Sequence, residues 1–521
     1  MLLEPLRQFS RNEMLPISCN ETEKFVKRLT SIVILLAVLC GFAAAQGSSA
    51  SAPARSAAAP KIPYVTRTLA NGLEVIVYPD SGVPLATVEI AVRNGSFTEP
   101  PELNGLSHLY EHMFFKTNGP VALYRCDLAT VFNNNNYLRD AGCDRTLKLR
   151  AQYGDVSYLS RLDESGFIRN GSTQEEFVNY YYTATAPFLD VIMHGMRDAM
   201  LFPSFDEKEF EQEKQVVLGE LDRNLSEPGY YLNKTMMDKL FYKYPSRKSP
   251  GGTRETVAAA TTAQMRLIQS RYYVPNNAAL VITGDVEPEK VFALAQQYFG
   301  EWKRGEDPFV KFPLVEHPPL PRSEGVFVTQ DIDTAYLQIG WQGPSIGKDN
   351  TSTYAADVFS FIVGQANSRL QRKLVDSGLA LGVDVHYYTQ RNVGPIRITL
   401  ITQPEKAKAA LAALYDEIAH FTDADYFTDQ ELVNAITLTE ARDLFEREKL
   451  SSYAHTLSFW WSSTGTQYYR GYYGNMRKIT RADINRYINT YIKGKPHVGL
   501  AMMSDASQKT AALTQTDLIG K

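Results

Sequence analysis

The stretch Asn104-Gly105-Leu106-Ser107-His108-Leu109-Tyr110-Glu111-His112-Met113-Phe114-Phe115 concentrates the residues of this chain that could do chemistry. His108, Glu111 and His112 spell H-x-x-E-H. On a helix, positions i, i+3 and i+4 share one face. Two imidazoles one turn apart can hold a metal ion, and a carboxylate beside them can work on water at that metal. Leu106, Leu109, Met113 and Phe114 would pack the remaining faces. The bland alternative is a buried amphipathic helix whose histidines only satisfy local hydrogen bonds, and for a single histidine it would be preferred. The chain has 8 histidines in all. Two of them falling with a glutamate inside one short motif favours a metal.

Such a centre needs a third protein ligand. Phe210-Glu211-Gln212-Glu213-Lys214-Gln215-Val216-Val217-Leu218-Gly219-Glu220-Leu221 has a helical pattern, and Glu213 and Glu220 lie two turns apart on one face. Either can ligate while the other orients or tunes the site. Glutamates on helices are most often merely solvated. The pair therefore carries weight only beside the histidine motif, where it completes a His2Glu set with an open fourth position.

With these residues in view, the chain resembles the pitrilysin/insulinase family of zinc metallopeptidases, whose helix motif is the inverted H-x-x-E-H. Further matching stretches are Gly166-Phe167-Ile168-Arg169-Asn170-Gly171-Ser172-Thr173, Phe202-Pro203-Ser204-Phe205 and Tyr272-Tyr273-Val274-Pro275-Asn276-Asn277-Ala278. The resemblance runs from about Tyr64 to about Ser504. It implies one Zn2+ per chain held by His108, His112 and Glu220, with Glu111 as general base and Glu213 supporting the site. The order of the two glutamates comes from the resemblance. It also implies that Gly166 to Thr173 is an edge strand to which substrate adds through main-chain hydrogen bonds, with Asn170, Gly171 and Ser172 the binding residues. The implied function is a zinc metalloendopeptidase that cleaves peptides or unfolded segments in a clamshell chamber. The alternative, from another class, is a non-catalytic assembly or binding subunit that retains the fold.

One departure bears on partners. Family members touch the substrate carbonyl with an Arg and a Tyr from a metal-free domain. In the matching stretch, Arg372 to Val383, Val375 and Leu381 stand at those positions. The chain is therefore similar to the metal-bearing subunit of bacterial peptidases that resemble mitochondrial processing peptidase. The resemblance implies a homologous metal-free subunit that supplies the Arg/Tyr pair in a heterodimer. In a homodimer, Arg369 or Arg372 and Tyr387 or Tyr388 become the candidates.

The elements that must position these groups are legible in outline. Thr66 to Leu69, Asn71-Gly72 and Leu73 to Val77 predict a hairpin. Ala86 to Val92 predicts a strand leading into the motif helix, Asn179 to Thr183 an aromatic strand, and Ala278 to Thr283 another. Helices are expected over Pro187 to Leu201, Gln264 to Tyr273 and Pro288 to Phe299. Beyond a linker containing Pro308, Pro313, Pro318, Pro319 and Pro321, the order repeats. Ala335 to Trp341 echoes Ala86 to Gly95, and Tyr354-Ala355-Ala356-Asp357-Val358-Phe359 replaces the motif helix without its ligands. The expected fold class is α+β: two homologous sandwich domains, each an antiparallel sheet with helices on one side. The expected organisation is a signal peptide at 1–45, a flexible tether at 46–63, a zinc-bearing domain at 64–304, a linker at 305–323 and a metal-free domain at 324–521.

At 521 residues, 44% hydrophobic and 21% charged, the chain is an ordinary globular composition long enough for two cores. A net charge of −4 argues against nucleic-acid binding. Lys24, Lys27 and Arg28, the apolar run Leu29 to Phe42 and Ala43-Ala44-Ala45 predict export, with cleavage near Ala45. A periplasmic or secreted protein follows, or a membrane-anchored one if uncleaved, and Met14 offers a second start. Of the four cysteines, Cys19, Cys40, Cys126 and Cys143, none forms C-x-x-C. The interval from His112 to Glu220 exceeds the family's usual spacing. The excess is expected at about 121–153 as a polar, mobile loop that a Cys126–Cys143 disulfide can close in an oxidising compartment.

Overall fold

A computed structural model describes residues 62–521. The expected export signal and nearly all of the tether lie outside the described residues. Among the described residues, no helix is long and apolar enough to cross a membrane.

Two sheets share one connectivity. The first holds β1 (Val65–Thr68), β2 (Glu74–Pro79), β3 (Leu85–Val92), β4 (Ile168–Thr173), β5 (Val178–Thr185) and β6 (Ala278–Gly284), in the spatial order β1-β2-β6-β3-β5-β4. The second holds β7 (Glu324–Thr329), β8 (Ala335–Gln342), β9 (Gly382–Tyr387), β10 (Pro395–Thr402) and β11 (Val498–Met503), in the order β7-β11-β8-β10-β9. Strand for strand the second repeats the first without β1. Both sheets are mixed, which corrects the antiparallel expectation: β2 runs parallel to β6, and β7 parallel to β11. Hairpin signals report pairing between chain neighbours, whereas these parallel pairs join strands separated by most of a half and need a long crossover.

The helices that matter here are α1 (Leu106–Phe114), α2 (Gly119–Val131), α3 (Asn135–Asp140), α4 (Cys143–Lys148), α5 (Arg150–Tyr153), α6 (Leu189–Leu201), α7 (Glu207–Leu225) and α8 (Pro228–Leu240). In the second half they are α9 (Asn350–Gly364), α10 (Leu450–Thr464) and α11 (Arg481–Tyr491). Val88, Ile90 and Val92 of β3 point to one face of the first sheet, where Leu106, Leu109 and Met113 of α1 and Ile192 and Met196 of α6 cover them.

Helices do not stay on one side, and this is a second correction. The opposite face of the first sheet, with Ile76, Ala91, Ala279 and Val281, is covered by Tyr453, Leu457 and Trp461 of α10, which belongs to the second half. Reciprocally, Val498, Leu500 and Met502 of β11 are covered by Leu232, Met236 and Leu240 of α8, from the first half. A Cβ at Gly340 of β8 would collide with Met236 Sδ, so glycine there lets α8 approach. The cause is the alternation itself: inner strands present apolar side chains on both faces, and each face must be removed from water.

The segment expected as a mobile loop is helical, forming α2 to α5. Leu123, Cys126 and Ala129 at three-residue spacing give α2 a buried face, and Leu123 packs against Val156, Leu159 and Val191. Asn118 caps α2 by accepting the Val121 N–H at 3.0 Å. Cys126 and Cys143 are joined by a disulfide that ties α2 to α4.

Candidate metal centre

The helix α1 starts at a crowded crossing. Gly105 has φ +89°, and a Cβ there would lie 2.7 Å from Gly252 Cα. Just upstream, buried Glu99 turns its carboxylate to the open helix start, accepting the N–H of Gly105 at 2.8 Å and of Ser107 at 2.6 Å. An anion at this place satisfies otherwise free N–H groups and complements the helix dipole. The first metal-site histidine, His108, follows one residue after Ser107.

Helix α7 brings the glutamates. Phe210, Glu213, Val217 and Leu221 form its buried face, so the pair two turns apart is held against α1 by apolar packing. Glu220 faces both histidines: its Oε2 lies 3.6 Å from His108 Nε2 and 3.5 Å from His112 Nε2. One donor atom from each of the three residues falls within 4.8 Å of the others. Tetrahedral zinc with bonds of about 2.0–2.1 Å holds neighbouring donor atoms roughly 3.3 Å apart, so the spacing to Glu220 fits a shared ion. Glu213 stands behind His112 instead. Its Oε2 is 3.2 Å from His112 Nδ1, and its Oε1 is 2.5 Å from Lys116 Nζ. A proton on Nδ1 facing Glu213 leaves Nε2 free to ligate. His108 Nδ1 is buried and makes no hydrogen bond.

The same contacts shift the protonation of these groups. Burial, then the neighbouring His112, pushes His108 down to about 4, so it is neutral near pH 7. Burial opposes charging His112, but the hydrogen bond and charge of Glu220 and the charge of Glu111 outweigh it and raise its pKa. The hydrogen bond with His112 holds the Glu220 carboxyl below its ordinary value, although burial pulls the other way. Glu111 is pushed up to about 7 by burial, with His112 and a hydrogen bond from Thr173 resisting. A carboxyl near 7 can both accept and return a proton at neutral pH.

Strand β4 forms the floor beside Glu111 and, among the described residues, is an outer edge of its sheet, paired with β5 alone. Asn170, Gly171 and Ser172 all lie on it. A Cβ at Gly171 would sit 2.7 Å from Glu111 Oε1, which explains glycine at that position. Ser172 faces away, donating to Asn179 Oδ1 at 2.5 Å. Asn170 Oδ1 accepts the Gly171 N–H at 3.0 Å.

Two residues were missed in the sequence. Thr173 donates its hydroxyl to Glu111 Oε2 at 3.1 Å. Strand alternation from Gly171 could have found it. Glu99 had no sequence signal beyond its position a few residues before the motif. Among the fallback residues, Arg369 is paired with buried Glu417 at 3.2 Å, and the buried Tyr387 hydroxyl donates to Pro344 O at 2.9 Å. Leu381 is exposed beside β9, and Val375 lies in the turn of helix Arg372–Asp376.

Comparison with known proteins points to a family of peptidases. The model of the insulinase family (peptidase family M16) matches residues 75–122 and 149–251, and that of the peptidase M16 inactive domain matches residues 259–438. The gap in the first match falls within the helical segment that carries the disulfide. The zinc protease PqqE of Helicobacter pylori is 25% identical over 313 residues, which is 59% of this chain and 63% of that protein. The crystal structure of a protease from Helicobacter pylori superposes with a TM-score of 0.69 at 20% identity, covering 84% of this chain and 99% of the other. A peptidase M16 inactive domain from Pseudomonas fluorescens gives 0.66 at 14% identity, covering 85% and 98%. At these identities the structural likenesses speak for the fold alone.

Proposed function

Since this chain belongs to the insulinase family of peptidases, we propose that it is a zinc endopeptidase whose ligands are His108, His112 and Glu220 and whose general base is Glu111. The observation that carries the reading is the convergence of both His Nε2 atoms on Glu220, with Glu111 beside them and against an open edge strand. A bound zinc would lower the pKa of water and polarise the scissile carbonyl. Glu111 takes the proton of the attacking water at its carboxylate and returns it to the leaving amine. Thr173 holds the Glu111 carboxylate on the side of β4. Glu213 holds the His112 ring through Nδ1. Peptide adds to β4 as a further strand, with Asn170, Gly171 and Ser172 beneath it, so extended backbone is recognised more than side chains. The amino-terminal pattern of positive charge, apolar run and small residues supports an exported protein, periplasmic or secreted.

Val375 and Leu381 offer no donor to an oxyanion, which supports a second, metal-free subunit that supplies an Arg/Tyr pair. The same two residues favour the other reading, a binding or assembly subunit that retains the fold. Metal content separates the two. The purified chain is expected to carry about one zinc, the stoichiometry of one such site. His108→Ala is expected to empty it, and full zinc in that variant would overturn the assignment.

A further inference from the structure

Strand β4 is tied to the metal-free half on the face turned away from the metal. Alternation along the strand sends Gly171 and Thr173 toward Glu111 and Ser172 to the opposite side. There the Ser172 hydroxyl donates to Asn179 Oδ1 of β5 at 2.5 Å, and the Asn179 amide donates to Glu89 Oε1 of β3 at 2.8 Å. Glu89 Oε2 lies 2.6 Å from Nδ1 of His455, a residue of α10, and the Asn179 amide nitrogen lies 2.7 Å from the same Nδ1, so His455 meets both residues directly. Glu89 and Asn179 are entirely buried, while the His455 side chain is 35% exposed. A carboxylate with no access to water is costly unless a cation and hydrogen bonds hold it. His455 is the partner of that acid: burial opposes charging of its ring, and the charge and hydrogen bond of Glu89 outweigh burial and raise its pKa. Lys449, just before α10, disfavours the charge, and the Tyr181 ring packs edge-on at 5.2 Å between centroids.

The other polar contacts of α10 with the first sheet end on inner strands or beside them. Thr283 of β6 donates to Leu450 O, Trp461 Nε1 donates to Glu74 of β2, and Arg93, next to β3, donates to Trp461 O. The path from His455 runs on to the edge strand.

We propose that His455 is a positioning residue for peptide binding, acting from the metal-free half through Glu89, Asn179 and Ser172 to hold β4 in the conformation that a peptide strand pairs with. The proposal rests on β4 being the peptide-binding edge. A strand already ordered gives up less freedom when peptide binds, so the effect falls on affinity and not on the bond-breaking step. Among the described residues, the hydrogen-bond partners of His455 are Glu89 and Asn179, on the strands between α10 and β4.

The test uses the full zinc-loaded chain carrying Glu111→Gln, titrated with a fluorescein-labelled unstructured peptide. Adding His455→Ala, or Ser172→Ala, is expected to weaken binding about tenfold with zinc content unchanged. His455→Gln keeps a donor and is expected to recover part of the loss. In the cleaving parent the same changes are expected to raise KM about tenfold and leave kcat within about twofold. Amide hydrogen exchange over residues 168–173 is expected to quicken in His455→Ala while the second sheet is unaffected. Unchanged binding and unchanged exchange in β4 would overturn the proposal, as would a fall in kcat at constant KM. Should His455→Ala fail to fold, His455→Gln, which changes the ring and its contacts with Glu89 and Asn179, is read by the same binding and exchange measurements. If the parent neither binds nor cleaves peptide, the peptidase reading falls, and exchange in β4 still decides whether His455 orders the strand.

Discussion

Helices α1 and α9 hold equivalent places in the two halves, each following the strand that corresponds to β3. Against His108-Leu109-Tyr110-Glu111-His112, the second helix reads Tyr354-Ala355-Ala356-Asp357-Val358. Both carry an acid at the same position, and burial pushes Glu111 and Asp357 alike up to about 7. Their neighbours differ. Glu111 looks out on β4 with Thr173 and Gly171 against it, whereas Asp357 is closed off by the Tyr472 hydroxyl at 2.6 Å. A carboxyl with a raised pKa is thus something this architecture produces in either half. Reactivity requires, in addition, ligands on the same turn and an open strand beside the acid.

That contrast can be broken most severely at the two acids. Glu111→Gln is expected to cut peptide cleavage by roughly a hundredfold or more with zinc retained, because it keeps the side chain's size and removes the base. Asp357→Asn is expected to leave the rate within about twofold, having no reacting group to serve. Parental cleavage by Glu111→Gln would remove the distinction drawn here. The next largest effect concerns the missing donors. Co-expression with a homologous metal-free chain is expected to give a heterodimer about a hundredfold faster than the isolated chain, the usual worth of one oxyanion donor. Full activity from a strict monomer, checked by size-exclusion chromatography during the assay, would contradict it.

A finer test lies within α7. Glu220→Gln is expected to lose zinc outright, while Glu213→Gln weakens it by about tenfold, since Glu213 acts through the His112 ring. Zinc titration against a chelator reads both, and equal losses would erase the difference in their roles. The smallest expected effect is on pH and stability. The Asp357 pKa rises from 3.8 to about 7 on folding, so the native state holds this proton more tightly than the unfolded chain. Its stabilisation is complete below about pH 4 and is lost as pH rises through about 7. Thermal unfolding between pH 5 and pH 8 should therefore fall less steeply for Asp357→Asn than for the parent, and equal slopes would mean that this acid does not titrate there.

Much of the site was legible because it is local. His108, Glu111 and His112 need only one helical turn, and Glu213 and Glu220 only two, so spacing marks out both groups, while which glutamate ligates came from the resemblance. The Asn71-Gly72 hairpin is legible for the same reason. What stayed hidden depends on partners distant in the chain. Nothing near β2 announces that it pairs with β6, nor near Met236 that it will cover β11. Glu89 and His455 are both polar residues whose purpose exists only once a strand and a helix from different halves meet. The segment from Val121 to Tyr153 misled for a compositional reason: its polar character suggested a loop, while Leu123, Cys126 and Ala129 were enough to bury one side of a helix.

The reciprocal cover of α8 and α10 bears on what gene duplication leaves dispensable. A half whose helix lacks the H-x-x-E-H pattern would ordinarily be free to erode or be deleted. Here deletion past the proline-rich linker would strip Trp461 and its neighbours from the sheet on which α1 lies, and would leave α8 with no strand to lie on. The half without chemistry is thus retained by packing, and truncation at the linker is expected to yield two insoluble fragments instead of one small peptidase.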